Sequence, residues 1–220
     1  MPQGRYRVSD PEDGTPLGEE RFQCAPGPAG WRYTGTLTGP DGAQLSSTDL
    51  TLDAIGRPIR VELRAGGWQF RGAALDGLTW VRMAADGSAA DEGNARASTF
   101  SGPSPGFLVA VARLLGPGRD PAGDRPRTAQ LQLVTVTPPA LGPRTRLERW
   151  THLGSETHPT DLRPLVVDAY EVTDLETGER RQVHLAGDVV LAAPGVELLA
   201  LDSPPSTFDP RDPAGGPGPT

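Results

Sequence analysis

The chain has 220 residues, enough for one sizeable domain that buries roughly 70% of the surface its unfolded form exposes. The formal net charge is -7, and its 21 basic residues, all arginines, are dispersed along the chain, unlike the basic patch of a nucleic-acid-binding protein. Cys24 is the single cysteine, which excludes an intramolecular disulfide, and its spacing to the histidines indicates no metal site. We therefore expect no nucleic-acid partner, no metal and no cofactor.

The first residues lack an apolar leader segment, and no apolar run reaches the length of a transmembrane helix. These features predict a cytoplasmic protein without integral membrane association. Residues 1–201 are predicted to be a single antiparallel β half-barrel domain. The Pro- and Gly-rich residues 202–220 have almost nothing to bury and are predicted to be a disordered tail.

Residues 30–83 predict a meander of antiparallel strands. Apolar and polar residues alternate over residues 31–38, 59–64 and 68–72, which is the two-residue period of a strand with one buried face. The connections are short Gly-, Asp- and Pro-containing turns, so consecutive strands should be antiparallel neighbours. Residues 84–94 are small and polar, and we expect an exposed loop there.

One helix is predicted after residue 104. Ser104 is the expected N-cap, Pro105 the first helical residue, and Gly116 the end of an apolar run that begins at Phe107. The run is apolar nearly all round, which is typical of a helix packed inside. A linker at residues 118–127 follows, and further strands are predicted at residues 129–137, 144–152, 165–173, 180–185, 188–192 and 196–201.

No catalytic residue is predicted, because none of the common catalytic sequence motifs is present. His152 and His158 flank a turn and could form an acid–base or metal site, although two surface histidines are the commoner interpretation. Asp161, Asp168 and Glu171 could supply a carboxylate pair, although acids in a solvated hairpin are commoner. The alternative function is therefore a hydrolase-type enzyme that acts on a small substrate, with one of these residues as general base.

Arginines recur at strand spacing at Arg60, Arg64, Arg71 and Arg82. If the strand register brings them together, they could bind a phosphate or carboxylate group. The simpler interpretation is a solvated outer face.

The large aromatic residues of the predicted strands have two interpretations. They could form the core, or they could line the open concave face of a curved sheet, where flat amphipathic rings suit a lipid or a sugar. These residues are Trp31, Tyr33, Trp68, Phe70, Trp80 and Trp150.

Several short motifs resemble a bacterial glycolipid-binding family whose fold is similar to that of the lipoprotein localisation factors. They lie at residues 49–53 (DLTLD), 59–63 (IRVEL), 67–70 (GWQF), 98–101 (STFS), 146–154 (RLERWTHLG) and 191–195 (LAAPG). No catalytic residues are carried over from this family.

The resemblance implies an all-β protein, with a strongly curved, mainly antiparallel sheet or half-barrel and one apolar helix against its concave face. Together with the aromatic strands, it predicts a non-catalytic binding protein for an apolar or amphipathic, lipid- or glycolipid-like small molecule. The ligand would contact the six strand aromatics and two helix residues, Phe107 and Leu108. A third possibility is an interaction module that binds another protein through its tail.

Overall fold

The computed structural model describes residues 1–27, 30–116, 127–161 and 164–206. These residues form one fifteen-stranded sheet and one helix. The first eight strands are β1 (Gln3–Ser9), β2 (Pro16–Gly27), β3 (Gly30–Thr38), β4 (Gln44–Asp53), β5 (Pro58–Ala65), β6 (Trp68–Ala74), β7 (Leu78–Ala84) and β8 (Ala90–Ala95). The rest are β9 (Thr99–Ser101), α1 (Gly106–Leu115), β10 (Thr128–Thr137), β11 (Gly142–His158), β12 (Leu165–Asp174), β13 (Arg180–Ala186), β14 (Val189–Ala193) and β15 (Val196–Leu201).

The sheet consists of two meanders joined at the chain ends. Its strand order runs from β8 down to β1, then from β15 down to β9, so the first and last strands pair at the centre. Every strand pair is antiparallel except β9–β10, which is parallel. The predicted fold class, a mainly antiparallel curved sheet with one apolar helix, is confirmed.

Four strands were not predicted from the sequence: β1, β2, β8 and the three-residue β9. In β1 and β2 the alternation is short, and the buried side of β2 includes the acidic Glu20. The prediction of a loop at residues 84–94 was wrong for β8, which pairs with β7 from Leu78 to Met83. Trp80 packs against the space that Gly93 leaves without a side chain. Pairing with β7 and packing against Trp80 therefore make this polar segment a strand, although its own residues have low strand propensity.

The sheet curls, so that β9 at one edge packs over β6 near the other edge. Phe100 of β9 lies against Phe70 of β6 with ring centroids 5.6 Å apart, and its ring fills the space beside Gly72. The face enclosed by this curl, here called the inner face, carries the buried aromatic and aliphatic side chains. On β5 it carries Val61 and Leu63, while Glu62 between them points to the outer face.

Helix α1 packs against β3, β4, β9 and β14 and covers part of the inner face. The predicted cap was wrong: Pro105 is the N-cap residue and no side chain caps the helix. Ser104 is instead buried and donates a hydrogen bond to Glu20 of the sheet. With ten residues, α1 is the single helix of the described ranges and is too short to cross a membrane.

The first residues after β15 lie against the sheet. The Asp202 N–H donates to the Gln3 carbonyl at 2.9 Å, and the Ser206 N–H donates to Asp188 at 2.7 Å. The rest of the predicted tail, residues 207–220, and most of the predicted linker, residues 118–126, lie outside the described residues.

Candidate functional site

The aromatic residues predicted to bind a ligand lie on the inner face, and most of them are closed off by packing. Five are buried: Trp31, Tyr33, Phe70, Phe107 and Trp150. Trp68, Trp80 and Leu108 are half-buried. The inner face therefore brings the predicted residues together as a packed core.

The two half-buried tryptophans have well-defined partners. The Arg82 guanidinium lies 4.4 Å from the centre of the Trp68 ring, a cation–π contact, and it also pairs with Asp91 at 2.7 Å. Trp80 covers Gly93, where an added Cβ would lie 2.5 Å from Trp80 Cζ2. Both rings stabilise the β6–β8 edge of the sheet.

An open depression with a volume of about 830 Å³ lies across β5 to β8. We call it the outer groove; residues 59–62, 71–73, 79–81 and 92–94 line it. The strand register places Glu62, Arg71, Val81 and Glu92 in one row on the outer face, opposite the core side. The groove is thus lined mainly by residues whose side chains the alternation directs away from the core, together with parts of Val61, Gly72, Trp80 and Gly93.

The outer groove is lined by both apolar and charged side chains. Ile59 is 55% exposed and Val81 39% exposed, with the small Ala73 in the same groove. Glu62 binds two arginines, with Oε2 3.0 Å from Arg60 Nη2 and Oε1 3.0 Å from Arg71 Nε. Arg60 and Arg71 therefore belong to the groove, whereas Arg82 lies on the other face and does not extend the predicted arginine stripe.

A second depression of about 230 Å³ adjoins the outer groove on β3, β4 and β5. It is lined by residues 34–36, 47–49, 62 and 64, which include hydroxyl side chains and Asp49. Glu62 lines both cavities. The outer face thus offers a groove of mixed apolar and charged lining beside a hydroxyl-rich depression.

A buried polar cluster, here called the buried joint, links the sheet to the segment before α1. It consists of Glu20, Tyr33 and Ser104. Both hydroxyls donate to Glu20 Oε1 at 2.5 Å. Burial raises the pKa of the Glu20 carboxyl to about 7, although the two hydrogen bonds oppose the rise.

Cys24 is buried on the inner face and donates a weak hydrogen bond from Sγ to the Asp188 carbonyl at 3.4 Å. Burial and the Asp188 charge raise the pKa of its thiol. A thiol held neutral in this way is a poor nucleophile, in agreement with a packing role.

His152, Ser155 and Asp168 meet on the inner side of β11 and β12. Ser155 Oγ donates to Asp168 Oδ1 at 2.5 Å, and His152 Nε2 lies 3.1 Å from the same oxygen and 3.4 Å from Ser155 Oγ. The carboxylate oxygen only accepts, so the Nε2 that faces it carries the hydrogen and has no lone pair for the serine proton. The three groups are a hydrogen-bonded cluster and not a nucleophile–base–acid relay.

The other candidate acid–base residues are dispersed. His158 is exposed, 3.7 Å from Glu156, and Asp161 is also exposed. Glu171 lies on the opposite face of β12 from Asp168, 3.9 Å from Arg180. Among the described residues no group of three metal-binding side chains comes together.

Sequence comparison finds no matching family model and no matching curated protein. Structure comparison finds similar folds. A DUF1089 family protein from Pseudomonas aeruginosa matches with a TM-score of 0.54 at 16% identity, covering 82% of this chain and 92% of the other. A β-barrel-like protein of the domain of unknown function DUF1849 from Brucella abortus matches with a TM-score of 0.51 at 14% identity, covering 91% and 96%.

At these identities the similarity shows the fold alone, a bacterial β-barrel-like architecture. Neither protein is described as glycolipid-binding or as a lipoprotein localisation factor. The resemblance to the glycolipid-binding family therefore stays a prediction.

Proposed function

We propose that the protein is a non-catalytic binding protein for an amphipathic, lipid- or glycolipid-like small molecule, and that the outer groove holds this ligand. The observation that carries the proposal is the groove itself. It is an open depression of about 830 Å³ on the outer face, lined by both apolar and charged side chains.

The chemistry of the two cavities matches the two ends of an amphipathic molecule. Ile59, Ala73 and Val81 offer apolar surface to the hydrocarbon part of a ligand. Burial of exposed apolar surface is the main favourable term in the binding of such a molecule. The hydroxyls and carboxylate of the second depression offer hydrogen bonds to a polar head. Glu62 and its two arginines lie at the boundary between them.

A second location for the same function is the inner face, as the aromatic pattern predicts. The observation in its favour is that a helix with a largely buried, apolar surface occupies the position where the ligand was expected. Binding there requires α1 to move, because Trp31, Tyr33 and Phe107 have almost no free surface with α1 in place.

The test is titration of the protein with a dansyl-labelled fatty acid, comparing Val81→Arg with Val166→Arg. Val81 lies in the groove, while Val166 is similarly exposed, at 47%, on the distant strand β12. The charged side chain at residue 81 would replace apolar surface of the groove, so we expect at least about a tenfold loss of affinity there and none for Val166→Arg.

Two other outcomes are informative. Saturable binding that Val81→Arg leaves unchanged overturns the outer groove as the site and favours the inner face. The absence of saturable binding in folded wild-type protein overturns the function itself.

A further inference from the structure

Four polar residues form one row across the outer face of β2 to β5, here called the arginine–hydroxyl row. At each of the four positions an adjacent residue along the strand is buried, so the row itself points to the outer face. The register places two hydroxyl residues side by side in the middle of the row, with one arginine at each end. In strand order the row is Arg21, Thr36, Ser47 and Arg64.

The two arginines of the row are exposed, and neither has an ion-pair or hydrogen-bond partner in the part of the chain that the structure describes. The acids two positions away on the same strands are already paired with other arginines. These pairs are Glu19 with Arg5, Asp49 with Arg32, and Glu62 with Arg60 and Arg71. The row therefore presents two positive charges that no neighbouring carboxylate neutralises.

The hydroxyl groups of the row are also available to a ligand. Thr36 and Ser47 line the second depression and are half-buried, yet neither hydroxyl makes a hydrogen bond to another described residue. Arg64 lines the same depression of about 230 Å³. A guanidinium donates hydrogen bonds in a planar fork that fits the oxygens of an anion, and hydroxyl groups donate to further oxygens. The depression thus combines the positive charge and the donors that bind an oxyanion.

We propose that the arginine–hydroxyl row binds a phosphate group, and that this group is the head of the amphipathic ligand. A phosphate monoester carries close to two negative charges and three terminal oxygens, which two arginines and two hydroxyls match better than they match a carboxylate. The head assignment rests on the proposed function, because the hydrocarbon chain lies in the outer groove. Glu62 lines both cavities, so the sites for head and chain adjoin.

The two arginines have different roles in this site. Arg64 lines the depression together with both hydroxyls and contacts the phosphate. Arg21 lies outside the depression, three strand spacings or about 14 Å from Arg64 along the row, so it contributes mainly long-range attraction. Arg64 is therefore the residue whose removal should cost the most affinity.

The test is calorimetric titration of the protein with decyl phosphate and with decyl glucoside, each below its critical micelle concentration. The two amphiphiles share one chain and differ in the head. We expect wild-type protein to bind decyl phosphate at least about tenfold more tightly than decyl glucoside, because only the phosphate makes charge-assisted hydrogen bonds to Arg64. Added salt should reduce this preference.

The decisive variants are Arg64→Gln and Arg149→Gln. Arg64→Gln should weaken decyl phosphate binding at least about tenfold and leave decyl glucoside binding within about twofold. Arg149 is a matched control on β11, since it is exposed, lies outside both cavities and has no ion pair with a described residue. Arg149→Gln should leave both affinities unchanged. Ser47→Ala should weaken decyl phosphate binding by about threefold to tenfold. Thermal melts verify that the variants are folded.

The outcomes separate the head site from the proposed function. Affinity for decyl glucoside that equals or exceeds that for decyl phosphate, or equal losses in Arg64→Gln and Arg149→Gln, overturns the head site and leaves the proposed function intact. Inorganic phosphate that binds as tightly as decyl phosphate shows that free phosphate occupies the row, which overturns its assignment to a lipid head. Folded wild-type protein that binds neither amphiphile contradicts the head site and the proposed function together.

Discussion

The inner and outer faces of β5 to β8 differ in how completely other side chains cover them. On the inner face, Phe70 meets Phe100 and Trp80 covers Gly93, so the side chains of one strand fill gaps left by another. On the outer face, Val81 and Ile59 stay exposed beside the Arg60–Glu62–Arg71 ion pairs. Aromatic content therefore marks the packed face of this sheet, and the accessible cavity lies on the face where the sequence is charged.

The largest loss of stability should come from a substitution on the packed inner face. Phe70→Ala removes a fully buried ring that contacts Phe100, and we expect a loss of about 3–5 kcal/mol in the free energy of unfolding. The control, Val81→Ala in the outer groove, should cost less than about 0.5 kcal/mol. Urea denaturation measures both, and equal losses would contradict the difference between the faces.

The next effect concerns the buried carboxyl group. Because burial raises the pKa of Glu20 above its unfolded value of 4.5, its contribution to stability is present below pH 4.5 and is lost as pH rises through about 7. Between roughly pH 5 and pH 8 this one group should lower the free energy of unfolding by about 2.5 kcal/mol. Urea denaturation of wild type and Glu20→Gln at both pH values isolates this pH-dependent change in the free energy of unfolding, since the variant should lack it.

A smaller effect is expected from filling space on the inner face. A Cβ on Gly72 would lie 2.6 Å from the Phe100 ring, so Gly72→Ala should destabilise the protein by about 1–3 kcal/mol. Gly142→Ala is a suitable control, since the nearest atom to its added Cβ, Arg82 Nη1, is 3.8 Å away. A thermal melt of both variants checks this, and a neutral Gly72→Ala would show that β9 does not pack tightly on β6.

The smallest change in stability should come from the charged side of the outer groove. Glu62→Gln removes two ion pairs in which both arginines are more than half exposed, and such pairs contribute about 0–1 kcal/mol each. The same variant should alter the affinity for the fatty-acid probe more than it alters stability. A large loss of stability with unchanged affinity would assign Glu62 to the fold and not to the groove.

The strands of residues 30–83 were predictable because their side chains alternate, and alternation directly specifies one buried face. The helix was predictable from its apolar run between Pro105 and Gly116. Its anchoring was not, because the partner of Ser104 is Glu20, 84 residues earlier in the chain. The β8 strand was missed for the same reason: its own residues are polar, and β7 supplies its order.

Part of the outer groove was visible in the sequence as the recurring arginines, but its position was not. Strand register brings Arg71 beside Glu62 and sends Arg82 to the inner face, and a shift of one residue would reverse that assignment. A pattern of charges along single strands therefore does not reveal which ones share a cavity.

The sequence by itself determined an antiparallel sheet with one apolar face and one internal helix, since these follow from local alternation and punctuation. Tertiary structure alone decided that the aromatic face is filled, that a carboxyl group anchors the helix inside, and that the accessible cavity lies outside. Each of these depends on contacts between residues far apart in the chain, and on whether the space between packed elements is filled, which local patterns do not encode.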